Sequence, residues 1–141
     1  MSSLHIDITK KVWEEIWNQG KMELVDEIFS PDIIRHDPNR TELHGIEATK
    51  NFIRKMRESF PDLHITLDDV IAENNKVVTR YHFNGTHLGG ALGFPATKRK
   101  VSYTGIVIFR FDDGKIVEQW TEADLLTLFQ QLGVNSPSVA K

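Results

Sequence analysis

The chain has 141 residues, a formal net charge of −3 and no cysteine. That length suits one domain with its own core, and the missing thiols exclude disulfides, thiolate metal sites and cysteine nucleophiles. A slightly acidic chain carries no electrostatic footprint for nucleic acid; its basic clusters, Arg54/Lys55/Arg57 and Lys98/Arg99/Lys100, read as solvated surface.

Met1-Ser2-Ser3-Leu4-His5 has neither the positive segment nor the apolar run of a signal peptide, and no stretch reaches the length of a membrane span. The expectation is a soluble, cytoplasmic protein with no nucleic acid or membrane partner.

The first helix pattern starts near Asp7 and puts Val12, Trp13, Ile16 and Trp17 on one face before Asn18-Gln19-Gly20 stops it. Lys10–Glu14 and Lys11–Glu15 sit one turn apart, where they can pair. Lys21 to Phe29 reads as a second helix, ended by Ser30-Pro31. Asp32 to Asp37 is a short strand running into Pro38, which favours an edge or a strand end. Gly45 to Phe60 is the clearest helix, with Phe52, Ile53, Met56 and Phe60 as its stripe and Pro61 as its stop. From Leu63 the period changes to two, with a turn at Asn74-Asn75 and a strand from Val77 to His87. A Gly/Pro-rich loop, Gly89 to Pro95, leads to Val101–Phe111 and Lys115–Trp120, joined by the turn Asp112-Asp113-Gly114. An apolar helix follows, headed by Glu122 and Asp124.

This order gives an α+β fold with helices packed on one face of a curved antiparallel sheet. The expected domain covers 1–134, and 135–141 form a loosely ordered tail.

Parity allocates the strand side chains. Tyr81, Phe83 and His87 share a face opposite Arg80, His82 and Asn84. Tyr103, Val107, Phe109 and Phe111 oppose Thr104, Ile106, Ile108 and Arg110. Ile116, Glu118, Trp120 and Glu122 oppose Val117, Gln119 and Thr121. A β-bulge anywhere would reverse these assignments downstream. Both faces of 101–111 are apolar, so an uncovered face exposes hydrophobic groups, and a homodimer through the sheets is expected.

Nucleophile-elbow and phosphate-loop motifs are missing. The histidines lack ligand spacing: His82 and His87, five apart on a strand, point to opposite faces. No metal is expected. What remains is acid–base chemistry.

Four pieces of the chain are similar to the SnoaL-like polyketide cyclase family: Gly85-Thr86-His87-x-Gly89, Gly93-x-Pro95-x-Thr97, Asp113-Gly114-Lys115-Ile116-x-Glu118-x-Trp120-x-x-x-Asp124 and Gln131-Leu132-Gly133. After the threonine the family usually shows a glycine and then a basic residue; this chain has Lys98 and Arg99. The resemblance implies the cone-shaped fold of the nuclear transport factor two and ketosteroid isomerase superfamily, an α+β barrel in which a curved sheet wraps around N-terminal helices. It also implies a homodimer and a cofactor-free intramolecular aldol reaction on a small hydrophobic carbonyl compound, with Asp124 as general acid/base.

Such a carboxylate needs an apolar pocket that raises its pKa. Trp120, Tyr103 and Phe109 are candidate walls, joined by Trp13, Trp17 and Tyr81. The competing reading is structural: Thr121-x-x-Asp124 is also a capping box, and a helix N-terminus favours the charged carboxylate. Glu122 is the reserve acid. His36 and His87 are candidates for hydrogen bonding to a carbonyl or sharing a proton, and Arg110 for stabilising an enolate. A related lyase or isomerase proton transfer would use the same carboxylate. A non-catalytic small-molecule binder and an epoxide-hydrolase-like hydrolase are the alternatives, the latter needing a second carboxylate and an arginine inside.

Overall fold

The computed structural model describes residues 2–38, 41–90 and 93–134. The expected tail and part of the Gly89–Pro95 loop lie outside the described residues. Four helices, α1 (Ser2–Lys11), α2 (Glu23–Ile28), α3 (Ile46–Ser59) and α4 (Leu125–Leu132), pack with six strands. The strands are β1 (Phe29–His36), β2 (Glu42–His44), β3 (His64–Glu73), β4 (Lys76–Thr86), β5 (Lys100–Asp112) and β6 (Lys115–Ala123).

All strands join one sheet in the order β2-β1-β6-β5-β4-β3. The sheet is curved and not closed, so the α+β expectation holds while the barrel does not: β2 and β3 remain edges. The strand before Pro38 is also more deeply placed than expected, lying between β2 and β6 and running parallel to β6. Pro38 falls just past its end, where no ladder hydrogen bond is lost.

Turn chemistry fixes the two hairpins. Asn74, Asp113 and Gly114 have φ of 57, 51 and 78°, the left-handed backbone that two-residue hairpin turns require. The long strands then alternate cleanly. Val101, Tyr103, Val107, Phe109 and Phe111 of β5 are all buried, and in β4 Val77, Tyr81 and Phe83 meet them on the same face.

The N-terminal helix starts at Ser2, earlier than Asp7, and continues past α1 as a wider π-helical stretch, Val12–Trp17. Its four apolar residues are all buried against the sheet. Glu15 pairs with Lys21 at 3.3 Å. Asn18 does more than stop the helix: its side chain donates to Ile65 O (2.9 Å) and accepts from Ile65 N (2.7 Å), acting as a short strand against β3. That satisfies edge backbone which would otherwise be open.

Lys98 occupies the position where the family usually has glycine, and its φ is 61°. The turn keeps the left-handed geometry because Lys98 N donates to His87 O (2.8 Å) and His87 N donates to Arg99 O (2.9 Å). A lysine there carries the steric cost of its Cβ, about 1–2 kcal/mol, part of which glycine's greater unfolded-state freedom offsets. Lys98→Gly should therefore raise stability by up to about 1 kcal/mol, read as a higher denaturation midpoint at unchanged m-value.

Candidate functional site

The inward residues of β3–β6, the π-helical stretch and α3 enclose a cavity of about 260 Å³, close to the lower end of ligand pockets at roughly 300 Å³. Leu125, Leu128 and Phe129 of α4 close part of it. Its walls are aromatic: Trp13 stacks on Tyr81 with centroids 5.0 Å apart, and Phe83 on Tyr103 at 4.8 Å. Burial pushes the Tyr81 hydroxyl up to about 12, and Tyr103 well above its ordinary value, so both remain O–H donors at neutral pH. Gly105 lets Tyr81 approach, since a Cβ there would lie 2.3 Å from the Tyr81 Oη.

Two charged side chains interrupt the apolar lining. Alternation along β1 sends Ile33 and Arg35 inward, with Asp37 following just beyond the strand end. Arg35 is only 2% exposed, and its Nη2 donates to Asp37 Oδ1 at 3.1 Å. Its guanidinium carbon stands 4.3 Å from the centroid of the Phe52 ring, a cation–π contact strengthened by desolvation. Burial pulls the Arg35 pKa down and Asp37 opposes that pull. Gln119 and Thr121 of β6 add a polar strip, Nε2 to Oγ1 at 3.1 Å. Asp37 is the one carboxylate among the described lining residues.

Of the candidates read from the sequence, Trp13, Trp17, Tyr81 and Tyr103 line this cavity. His36, Arg110, Trp120 and Glu122 do not. Arg110 lies opposite Tyr103, as parity places it, and His36 turns outward because its neighbour Arg35 turns inward. Trp120 and Glu122 leave the face that Ile116 keeps, which corrects their expected placement. The reason is a bulge in β6: Arg110 pairs with Glu118 but Phe111 with Ile116, so Val117 is an extra residue. Ile116 faces the core, and beyond the bulge the inward set becomes Gln119, Thr121 and Ala123. Trp120 and Glu122 instead share the outer face with Ile108 and Ile106.

There His36 Nε2 meets Glu118 Oε2 at 2.7 Å, and Arg110 Nη2 meets Glu118 Oε1 at 2.9 Å. The His36 ring stacks on Trp120 at 5.4 Å. His36 and then Arg110 hold the Glu118 carboxyl below the usual carboxylate range.

His87 is fully buried beside Phe60 and Phe94, outside the cavity lining. Its Nδ1 accepts from Thr97 N at 3.0 Å, and burial lowers its pKa.

Asp124 is the N-cap of α4. Thr127 N donates to its Oδ1 (3.1 Å) and Thr127 Oγ1 to its Oδ2 (2.6 Å). The cap is Asp124 rather than Thr121 because β6 runs on to Ala123. The side chain is exposed, although its neighbours Ala123 and Leu125 both line the cavity. The hydrogen bonds from Thr127 hold its pKa below the usual carboxylate value.

Sequence reading missed Arg35, Asp37, Phe52 and Gln119 as site residues. The alternation Ile33, Arg35, Asp37 was the available signal, hidden while the strand was read as a surface edge. Among the described residues no cluster of three or more His, Asp or Glu is placed to hold a metal ion, and no helix is long and apolar enough to cross a membrane.

Residues 8–132 match the model of the SnoaL-like polyketide cyclase family, and the chain belongs to that family. It is similar to the aklanonic acid methyl ester cyclase DnrD of Streptomyces peucetius, 30% identical over 96% of this chain and 95% of the relative. The nogalonic acid methyl ester cyclase of Streptomyces nogalater is 29% identical over 83% of this chain and 89% of the relative. Among solved structures, a SnoaL-like protein from Jannaschia sp. CCS1 superposes with a TM-score of 0.88 at 22% identity, covering 95% of this chain and 94% of that one. At that identity the superposition speaks for the fold alone.

The Asp124 cap has a testable pH signature. Its folded pKa lies below the ordinary 3.8, so its contribution is complete above that value and is lost as pH falls through the depressed one. Asn caps as well as Asp. Asp124→Asn should match wild type in denaturation midpoint at neutral pH and lack this acid-dependent loss, whereas Asp124→Ala should be less stable at neutral pH.

Proposed function

We propose that this protein closes a ring in a carbonyl-bearing polyketide ester held in the aromatic cavity, by cofactor-independent aldol chemistry. The observation that carries this reading is a lone carboxylate, Asp37, paired with Arg35 in a cavity whose described walls are mostly aromatic and aliphatic, in a chain similar over nearly its whole length to methyl ester cyclases. In the proposed step Asp37 removes a proton from the carbon α to a carbonyl. The enolate carbon attacks a ketone carbon of the same molecule; a C–C bond forms, the C=O π pair moves to oxygen, and that oxygen takes the proton back. Atoms balance without any co-reactant, so substrate and product have equal mass.

Asp37 suits this step better than Asp124 on position. A general base must reach the proton it takes, and Asp124 is turned to Thr127 at the surface. The hydrolase alternative wants two carboxylates inside, and the described lining supplies one.

The test uses aklanonic acid methyl ester and nogalonic acid methyl ester, the compounds in the relatives' names, with conversion followed as a change in absorbance and retention at constant mass. Asp37→Asn should lower turnover by about 10²–10⁴ while substrate still quenches the emission of Trp13 and Trp17; Asp124→Asn should keep most of the turnover. If Asp124→Asn abolishes turnover and Asp37→Asn does not, the proton carrier is the helix cap. Saturable quenching with no conversion of either ester would support the binding-protein alternative.

The homodimer belongs to the same reading. The outer sheet face carries Ile106, 44% exposed, with Ile108 and Trp120 among charges of both signs: Arg110, Lys76, Glu118 and Glu122. Such a patch complements a two-fold copy of itself. Light scattering should give twice the chain mass, and Ile106→Glu should shift it toward the monomer.

A further inference from the structure

Two hydrogen-bond donors on residues of the cavity wall, at Arg35 and Trp13, are buried without an acceptor. Arg35 Nη2 donates to Asp37 Oδ1, which is the hydrogen bond its guanidinium makes among the described residues, and Nε–H is buried with no acceptor. Trp13 Nε1–H is likewise buried and unpartnered. Asp37 is the one anion beside them in the described lining. Buried donors without acceptors are costly, and native structures avoid them unless something else supplies the acceptor.

We propose that Arg35 is a catalytic residue that binds the enolisable oxygen of the substrate and takes up the charge that forms there when Asp37 removes the proton. This rests on the cyclase reading of the same cavity. It extends that reading, because Asp37 alone says where the proton goes and not where the charge goes.

The geometry accounts for the charge. Before reaction the guanidinium faces one anion, the Asp37 carboxylate, at 3.1 Å. When Asp37 takes the α-proton it becomes neutral, and the electron pair of the C–H bond passes to the carbonyl oxygen. Arg35 then exchanges one anionic partner for another, and no uncompensated charge forms in the apolar cavity. Phe52 beneath the guanidinium holds its plane, so the fork is set before the substrate arrives. The aromatic walls suit a flat ring system, and the unpaired N–H of Arg35 suits a carbonyl or enolate oxygen.

Benzoylacetone is a suitable probe: an aryl 1,3-diketone whose enol and enolate absorb at different wavelengths. Its binding is followed by the emission of the cavity tryptophans, and its ionisation by absorbance across a pH series. The enzyme groups facing it are Arg35, Asp37, Tyr81 and Tyr103. Bound to wild type, its enolate should appear at a pH lower by about one unit or more than in solution, a tenfold or larger gain in the enolate fraction. Arg35→Gln should abolish that displacement, and Arg35→Lys, a point charge without the fork, should retain part of it. Asp37→Asn should keep it, since the variant removes the competing anion and leaves the guanidinium.

Saturable quenching by benzoylacetone with an undisplaced titration in wild type would overturn the Arg35 role while leaving the cavity reading intact. So would a full displacement in folded Arg35→Gln. Failure of the probe to quench at all would remove the cavity reading and this inference together. An undisplaced wild-type titration overturns the role even if both arginine variants fail to fold; a displaced one is assigned to Arg35 by whichever arginine variant folds.

Discussion

A strand can aim only alternate side chains at one face, and in β6 a single extra residue decides which ones face the cavity. The bulge at Val117 separates Ile116, which is part of the core, from Glu118, Trp120 and Glu122, which are not. It turns Gln119, Thr121 and Ala123 inward in their place. One face of β6 thereby becomes cavity wall, and the other joins His36 and Arg110 in a hydrogen-bonded outer cluster. The curvature that bulges introduce into a sheet also makes room for a cavity between sheet and helices.

The second constraint is the desolvated guanidinium. An arginine buried almost completely among aromatic rings is costly unless it is paired. Asp37 supplies the pairing and Phe52 the ring beneath it. Removing Asp37 or Arg35 alone leaves the other charge unpaired in an apolar environment. The pair is a unit in folding as well as in the proposed chemistry, and it concentrates the polarity of the cavity at one place.

The general plan of this molecule was legible because it rests on repeated local signals. The hairpin turns at Asn74-Asn75 and Asp113-Gly114 call for left-handed backbone, and the structure has it at Asn74, Asp113 and Gly114. The alternation in β4 and β5 runs unbroken, so the faces that parity gives Tyr81 and Tyr103 hold, and both line the cavity. The Gly45–Phe60 pattern is the amphipathic helix α3, within one residue at either end. The site was less legible because its placement depends on two non-local facts. Parity cannot see a bulge, so Trp120 and Glu122 were placed with Ile116. Nor does Ile33-Ile34-Arg35-His36 announce that β1 lies inside the sheet against β6; that depends on β2, three residues long, covering its far side. A charged residue in a short strand before Pro38 reads as surface until those neighbours are known.

The central claim is that Arg35 and Asp37 receive the reacting end of a flat aromatic carbonyl compound inside the cone. A crystal structure with an aromatic 1,3-dicarbonyl ester bound tests it most directly. The account predicts the ring system between Trp13 and the two tyrosines, one carbonyl oxygen within hydrogen-bond distance of Arg35, and the carbon between the carbonyls facing Asp37. A ligand seated instead at the outer face beside Trp120, or at the mouth against Asp124 with Arg35 untouched, would contradict it.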